Sequence, residues 1–182
     1  MTFLFALLLA QVEPTAQLAA TESTTIVLVR HAEKLNNESK DPGISAEGSR
    51  RADALAKYFT DKKVSTVIVS DTRRAEETGD LTAKDHGLKL TIVPIADGGE
   101  EHVKGVIAAI RDVPRGSTAL VVGHSNTLAP VIEALGGPHV KPLCEKQFAT
   151  MYVLEVFDGG KARLKTTSYG DSDPPGAEKC AE

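Results

Sequence analysis

Two histidines each follow directly on a run of β-branched and apolar residues. His31 comes after TIVLVR (25–30), and His124 comes after TALVVG (118–123). A third run, VSTVIV (64–69), leads into Ser70, Asp71, Arg73 and Arg74. Arginine presents a planar fork of donors that matches the oxygens of a phosphate-type anion. Neutral imidazole is a base and a nucleophile near neutral pH. A set of this kind suits holding an oxyanion and attacking its central atom, provided the chain brings the four side chains together.

The elements needed to position them are readable. Runs 25–29, 64–69 and 118–122 are continuously apolar and β-branched, the pattern of strands buried on both faces. A further strand is expected over 88–95, ahead of the Asp97-Gly98-Gly99 turn. Helices are expected over 45–60 with Ser45 as cap, and over 71–84, 101–111 and 125–135, with Gly136-Gly137-Pro138 as the last stop signal. Residues 149–157 and 162–167 are strand-like and flank Asp158-Gly159-Gly160, a hairpin signal. Strand–helix alternation predicts an α/β fold: three layers, α/β/α, with a mostly parallel central sheet and an antiparallel edge hairpin. Such sheets bind ligands beyond the carboxyl ends of their strands. Arg30, His31, Arg74 and His124 would all stand on that edge, as would Asp97, Glu100 and Glu101 after the third parallel strand.

Composition narrows the classes. The 182 residues suit one domain, with 41% hydrophobic and 25% charged residues and a net charge of −4. No basic stretch points to nucleic acid. Phe3 to Ala10 is a short apolar run followed by small residues, so residues 1–20 read as a secretory signal peptide, although no basic residue precedes the run. The alternative is a frayed N-terminal segment. Export would place the protein in the periplasm or outside the cell; without a signal it would be cytoplasmic. No run is long enough to span a bilayer. Residues 24–170 read as the domain and 171–182 as a polar C-terminal tail. Cys144 and Cys180 form no metal-binding pattern and are either free thiols or, in an exported protein, one disulfide pinning the tail.

Three blocks in order, LVRHAEK (28–34), SDTRRAEET (70–78) and VVGHSNT (121–127), together with DPGISAEGSRRA (41–52), resemble the histidine phosphatase superfamily, the phosphoglycerate-mutase-like group of branch 1. The resemblance spans about residues 25–169. It implies phosphomonoester hydrolysis through a phosphohistidine on His31, with Arg30, Arg74 and His124 holding the phosphoryl oxygens. Arg74 fits the motif spacing better than Arg73, which reads as a solvated helix residue. Charge stabilisation by arginines and histidines would replace a metal, so no cofactor is expected. His31 also needs a carbonyl or side chain on its other ring nitrogen to aim the attacking lone pair.

Other residues have milder readings. His86, His102 and His139 read as surface or structural. Glu33 and Lys34 suit a salt-bridged loop, and Ser70 and Thr78 suit fixing the segment that carries Arg74. The general acid is left open among Asp97, Glu100 and Glu101, with Asp97 first. The third block reads Gly-His-Ser-Asn, without the aspartate that follows this histidine in the acid phosphatase and phytase branch. A phosphoramidate substrate, such as a protein phosphohistidine, would need no dedicated acid. The short stretch between Thr78 and His124 leaves little room for the lid of the mutases. The expected partner is a small phosphorylated substrate or phosphate. A non-catalytic phospholigand-binding module is the reading from another class.

Overall fold

The computed structural model describes residues 23–95 and 99–180. Its elements are β1 (Thr24–Arg30), α1 (Ala46–Phe59), β2 (Val64–Ser70), α2 (Arg73–Asp85), β3 (Leu90–Val93), α3 (Glu100–Arg111), β4 (Thr118–Gly123), α4 (Leu128–Ala134), β5 (Thr150–Val156) and β6 (Ala162–Ser168). The stretch read as a signal peptide lies outside the described residues. Among those described, no helix is long and apolar enough to cross a membrane.

The six strands form one sheet in the order β3-β2-β4-β1-β5-β6. The first four run parallel; β5 pairs antiparallel with β1, and β6 with β5. This is the expected mostly parallel sheet with an antiparallel hairpin at its edge. Alternation along the strands builds two cores. Ile26, Leu28, Ile68 and Val121 pack with Val106 and Ile110 of α3 and Val131 and Ile132 of α4. Val27, Val29, Val67, Val69 and Val122 pack with Leu55 and Phe59 of α1 and Ala75 and Ala83 of α2. Three layers follow, because an inner strand buries both of its faces.

The register of the inner strands fixes the working edge. Arg30 pairs with Gly123 across β1 and β4, and the His31 amide donates to the Gly123 carbonyl at 2.9 Å. The residues that follow these partners, His31 and His124, therefore leave the sheet side by side. Val69 pairs with Val122, which brings Ser70 to the same level.

Three boundaries differ from expectation. α2 starts at Arg73 rather than Asp71, because the Asp71 carboxylate accepts the Ile95 amide at 2.8 Å and ties down the exit from β3. β3 itself is shorter than 88–95. α4 starts at Leu128 rather than Ser125, and Ser125 is not its cap. Residues 124–127 form a turn in which Thr127 Oγ1 accepts the His124 amide at 3.0 Å, while the Ser125 carbonyl accepts the Leu143 amide at 3.1 Å. Ser45 does cap α1, accepting the Gly48 amide at 3.1 Å. Gly48 is required where it stands: a Cβ there would run into the Glu33 carbonyl oxygen, so the segment that follows β1 and carries His31 can pass over α1 only at a glycine.

Candidate active site

His31 is 4% exposed and lies at the centre of the carboxyl edge. Its Nδ1 is 2.8 Å from the Ala32 carbonyl oxygen. A carbonyl only accepts, so Nδ1 carries the proton and the lone pair sits on Nε2. This is the backbone anchor that an attacking imidazole needs. Burial, chiefly, lowers the His31 pKa to about 3, with Arg30, His124 and Arg74 adding to the effect and the Ala32 hydrogen bond opposing it. The ring is therefore neutral at physiological pH.

His124 faces it edge-on, with ring centroids 5.3 Å apart. Its Nε2 meets Ser70 Oγ at 2.9 Å, and Ser70 Oγ in turn meets Thr72 Oγ1 at 3.0 Å. Burial lowers its pKa to about 4, helped by Arg74, His102 and Arg30 and opposed by Asp71. Two neutral imidazoles thus sit together beyond the ends of β1 and β4, where a hollow for an anion would have to lie.

Arg30 is buried beside them, and its surroundings are unusual. Nη1 donates to the carbonyls of Cys144 (3.0 Å), Glu145 (2.8 Å) and, more weakly, Gln147 (3.4 Å). Nη2 donates to the Glu145 carboxylate at 3.1 Å. The Phe148 ring lies 4.3 Å from the guanidinium carbon. Nε is buried and has no hydrogen-bond partner among the described residues. A buried donor of this kind carries a desolvation cost until something accepts from it, and an anion in the hollow would supply the acceptor.

Arg74 is held loosely. Its Nη1 lies 3.5 Å from Asp41 Oδ1, and its charge helps to depress both histidines. Arg73, by contrast, points to solvent and pairs with Glu77 at 2.7 Å, the solvated role read for it. Thr78 ties the segments together: its hydroxyl accepts from the Ala32 amide at 3.0 Å and donates to the Arg74 carbonyl at 2.6 Å. Ser70 serves both His124 and, through Thr72 at the start of α2, the segment that carries Arg74. Glu33 forms a salt bridge with buried Arg51, Oε1 to Nη2 at 2.6 Å.

The carboxyl candidates divide. Asp97 lies outside the described residues. Glu100 and Glu101 are 81% and 75% exposed and both pair with Lys104. Asp41 and Glu145 lie nearer the hollow, each on one of the two arginines, and sequence reasoning did not single out either. His102, read as surface or structural, is buried, with Nδ1 donating to the Val93 carbonyl at 3.0 Å and its ring 6.2 Å from that of His124. The only available signal of that placement was its position in the first turn of the helix that follows β3. His86 ends α2, and His139 is exposed against Glu133; neither approaches the hollow. The described residues contain no cluster of His, Cys, Asp and Glu able to hold a metal ion.

The fold is shared with known phosphatases. The structure of the protein histidine phosphatase SixA complexed with tungstate superposes with a TM-score of 0.61 at 16% identity, covering 79% of this chain and 96% of that one. The mycobacterial glucosyl-3-phosphoglycerate phosphatase gives 0.60 at 16% identity, covering 82% and 100%. A mycobacterial hydrolase gives 0.61 at 16%, covering 82% and 99%. No curated protein matches the chain by sequence. Residues 26–95, which include Arg30, His31 and Arg74, match the family model described as histidine phosphatase superfamily (branch 1).

Proposed function

We propose that this protein hydrolyses phosphomonoesters through a phosphohistidine formed on His31. The observation that carries the reading is the pairing of two neutral imidazoles, 5.3 Å apart, beside a buried guanidinium whose Nε lacks an acceptor. A phosphoryl group entering the hollow would take donors from Arg30, Arg74 and His124. The Nε2 lone pair of His31 then forms a P–N bond as the ester P–O bond breaks, and the leaving oxygen takes up a proton. Water attacks the phosphohistidine, gives up a proton, and the P–N bond breaks with its electron pair returning to Nε2. Charge on the equatorial oxygens is met by arginines and imidazoles throughout.

The source of the proton for the leaving oxygen separates two substrate classes. Asp97 is our candidate for an ester. Glu100 and Glu101 are poor ones, being exposed and bound to Lys104. That observation favours a second reading, hydrolysis of a phosphoramidate such as a protein phosphohistidine, whose nitrogen leaving group is readily protonated without a dedicated acid. One solved neighbour of this fold is itself named a protein histidine phosphatase. Export, if residues 1–20 are a signal peptide, would favour the ester, since cytosolic phosphoproteins would then be out of reach.

The experiment is p-nitrophenyl phosphate turnover by the wild type and His31→Ala, with and without EDTA. Activity that survives EDTA and falls at least about a thousandfold in the variant supports the enzyme. No turnover on esters or phosphoramidates, with phosphate still bound, would mean a binding module. A parallel assay with phosphoramidate separates the two substrate classes.

A further inference from the structure

Arg30 is positioned by a loop that has no regular structure of its own. Residues 135–149 contain neither helix nor strand. Yet this loop supplies three carbonyls to Nη1, a carboxylate to Nη2 and the Phe148 ring against the guanidinium. Its shape must come from attachments elsewhere. Three of these come from the C-terminal segment, the first being the Tyr169 amide, which donates to the Ala149 carbonyl at 3.0 Å. Asp173 Oδ1 accepts the amides of both Phe148 and Ala149 at 2.8 Å. Cys180 is joined to Cys144, the residue whose carbonyl holds Arg30, by a disulfide.

The C-terminal segment is itself anchored. Arg51 Nη1 donates to the carbonyls of Tyr169 and Asp171, both at 3.0 Å. The same guanidinium grips Glu33, two residues after His31. Ala177 is buried. A polar, proline-containing stretch without helix or strand would not stay ordered on its own; here it is fastened at both ends.

We propose that residues 169–180 act as a strap that positions Arg30 for oxyanion binding, with Asp173 and the Cys144–Cys180 disulfide as its side-chain anchors on the 144–149 loop. This rests on the reading of Arg30 as a phosphate ligand. The strap decides which donors of the guanidinium are left over. Nη1 is consumed by the loop carbonyls, which leaves Nε and, once Glu145 yields it, Nη2 for an anion. Asp173 touches no substrate; it is a positioning residue. Opening the disulfide leaves only Asp173 and the Tyr169 amide, both at the 148–149 end of the loop, and frees the Cys144 end that holds Arg30, so oxyanion affinity depends on the redox state of a bond outside the hollow.

The test is calorimetric titration of the full-length protein with inorganic phosphate, alongside KM and kcat for p-nitrophenyl phosphate. The proteins are wild type before and after dithiothreitol, Asp173→Ala, Asp173→Asn, the double variant Cys144→Ala/Cys180→Ala, and Arg30→Ala. Asp173→Ala and disulfide opening should each weaken phosphate binding and raise KM about tenfold, the loss of about one charge-assisted donor. Asp173→Asn keeps an acceptor oxygen and should restore most of the affinity. A lower melting temperature with unchanged phosphate affinity in these variants would reduce the strap to a stability element and overturn the proposal. Should Asp173→Ala fail to fold, the reduced wild type and the cysteine double variant carry the same decision. Unchanged phosphate affinity in Arg30→Ala would instead sink the reading of Arg30 as a ligand.

Discussion

Arg30 and Arg74 bring the same guanidinium to the same two imidazoles, and the protein holds them in opposite ways. Arg30 is nearly sealed, with its side chain 4% exposed, three loop carbonyls on one terminal nitrogen and an aromatic ring against its face. Arg74 is 21% exposed and, among the described residues, its side chain keeps a single long contact, with Asp41. A buried guanidinium must have its donors satisfied or its charge becomes prohibitively costly, so the loop on Arg30 is a structural requirement as well as a positioning one. An accessible guanidinium is solvated and can turn toward an arriving anion. The site therefore joins a preset donor to an adaptable one, and truncation should separate the two roles.

The largest expected difference lies in stability. Arg30→Ala strands carbonyls that now accept from Nη1 and should lower unfolding free energy by roughly 2–3 kcal/mol. Arg74→Ala removes one weak exposed pair and should cost less than about 1 kcal/mol. Both should lower kcat/KM by on the order of a hundredfold or more, as the loss of one oxyanion donor does. Urea unfolding with steady-state kinetics on the same preparations checks both halves. Equal destabilisation by the two variants would break the contrast.

Lysine substitution sharpens it further. The lysine ammonium is a point charge and cannot reproduce the Arg30 arrangement, in which one terminal nitrogen is spent on carbonyls while Nε stays free for the anion. Arg30→Lys should therefore behave nearly as the alanine variant does. Arg74→Lys, in a roomier setting, should recover about tenfold or more of the activity lost in Arg74→Ala. Recovery by both lysines would show that charge alone is required at each position.

Acid stability tests what the two arginines do to the imidazoles. His31 and His124 have folded pKa values of about 3 and about 4, against 6.5 in the unfolded chain, with burial the first cause for each. Between those values the unfolded state binds more protons. Stability linked to these groups is thus complete above about pH 6.5 and is lost as pH falls toward 4 and then 3, by up to about 1.4 kcal/mol per pH unit for each histidine. The double variant His31→Asn/His124→Asn should flatten that slope. Because burial outweighs the arginine charge, Arg74→Ala should leave most of it. If Arg74→Ala flattens the slope as much as the histidine variant does, repulsion rather than burial holds the rings neutral.

The same contrast separates what was legible in the sequence from what was not. Arg30, His31 and His124 stand where buried β-branched runs end, and a parallel register that pairs Arg30 with Gly123 must bring the two histidines together. Period and strand ends are local properties, so the sheet, its edge hairpin and these residues could be read. The partners of Arg30 could not. Cys144, Glu145, Gln147 and Phe148 lie more than a hundred residues away, in a loop with no periodicity, held by a segment that reads as a polar tail. The disulfide stayed open for the same reason: the pairing of two cysteines depends on where the loop and the segment meet. The late start of α4 was hidden because Ser125 is a good cap by type, whereas Thr127 Oγ1 was already committed to the His124 amide.

The smallest expected effect concerns the two carboxylates that now occupy the arginines. Asp41 lies on Arg74 at 3.5 Å and Glu145 on Arg30 at 3.1 Å, and their side chains are 52% and 80% exposed. On the proposed function an entering phosphoryl group would have to displace them, so each would act as a weak internal competitor. Asp41→Asn and Glu145→Gln remove the competing charge and should lower KM for p-nitrophenyl phosphate, by less than about fivefold each, the range expected for exposed ion pairs. The gain should fade as salt rises and screens the competitor in the wild type. Glu145→Gln should give the smaller gain, because the loop carbonyls hold Arg30 in place with or without that carboxylate. Asp41→Asn frees the only side-chain partner recorded for Arg74 among the described residues. A KM that rises in both variants, independent of salt, would mean that these carboxylates orient the arginines instead of competing for them.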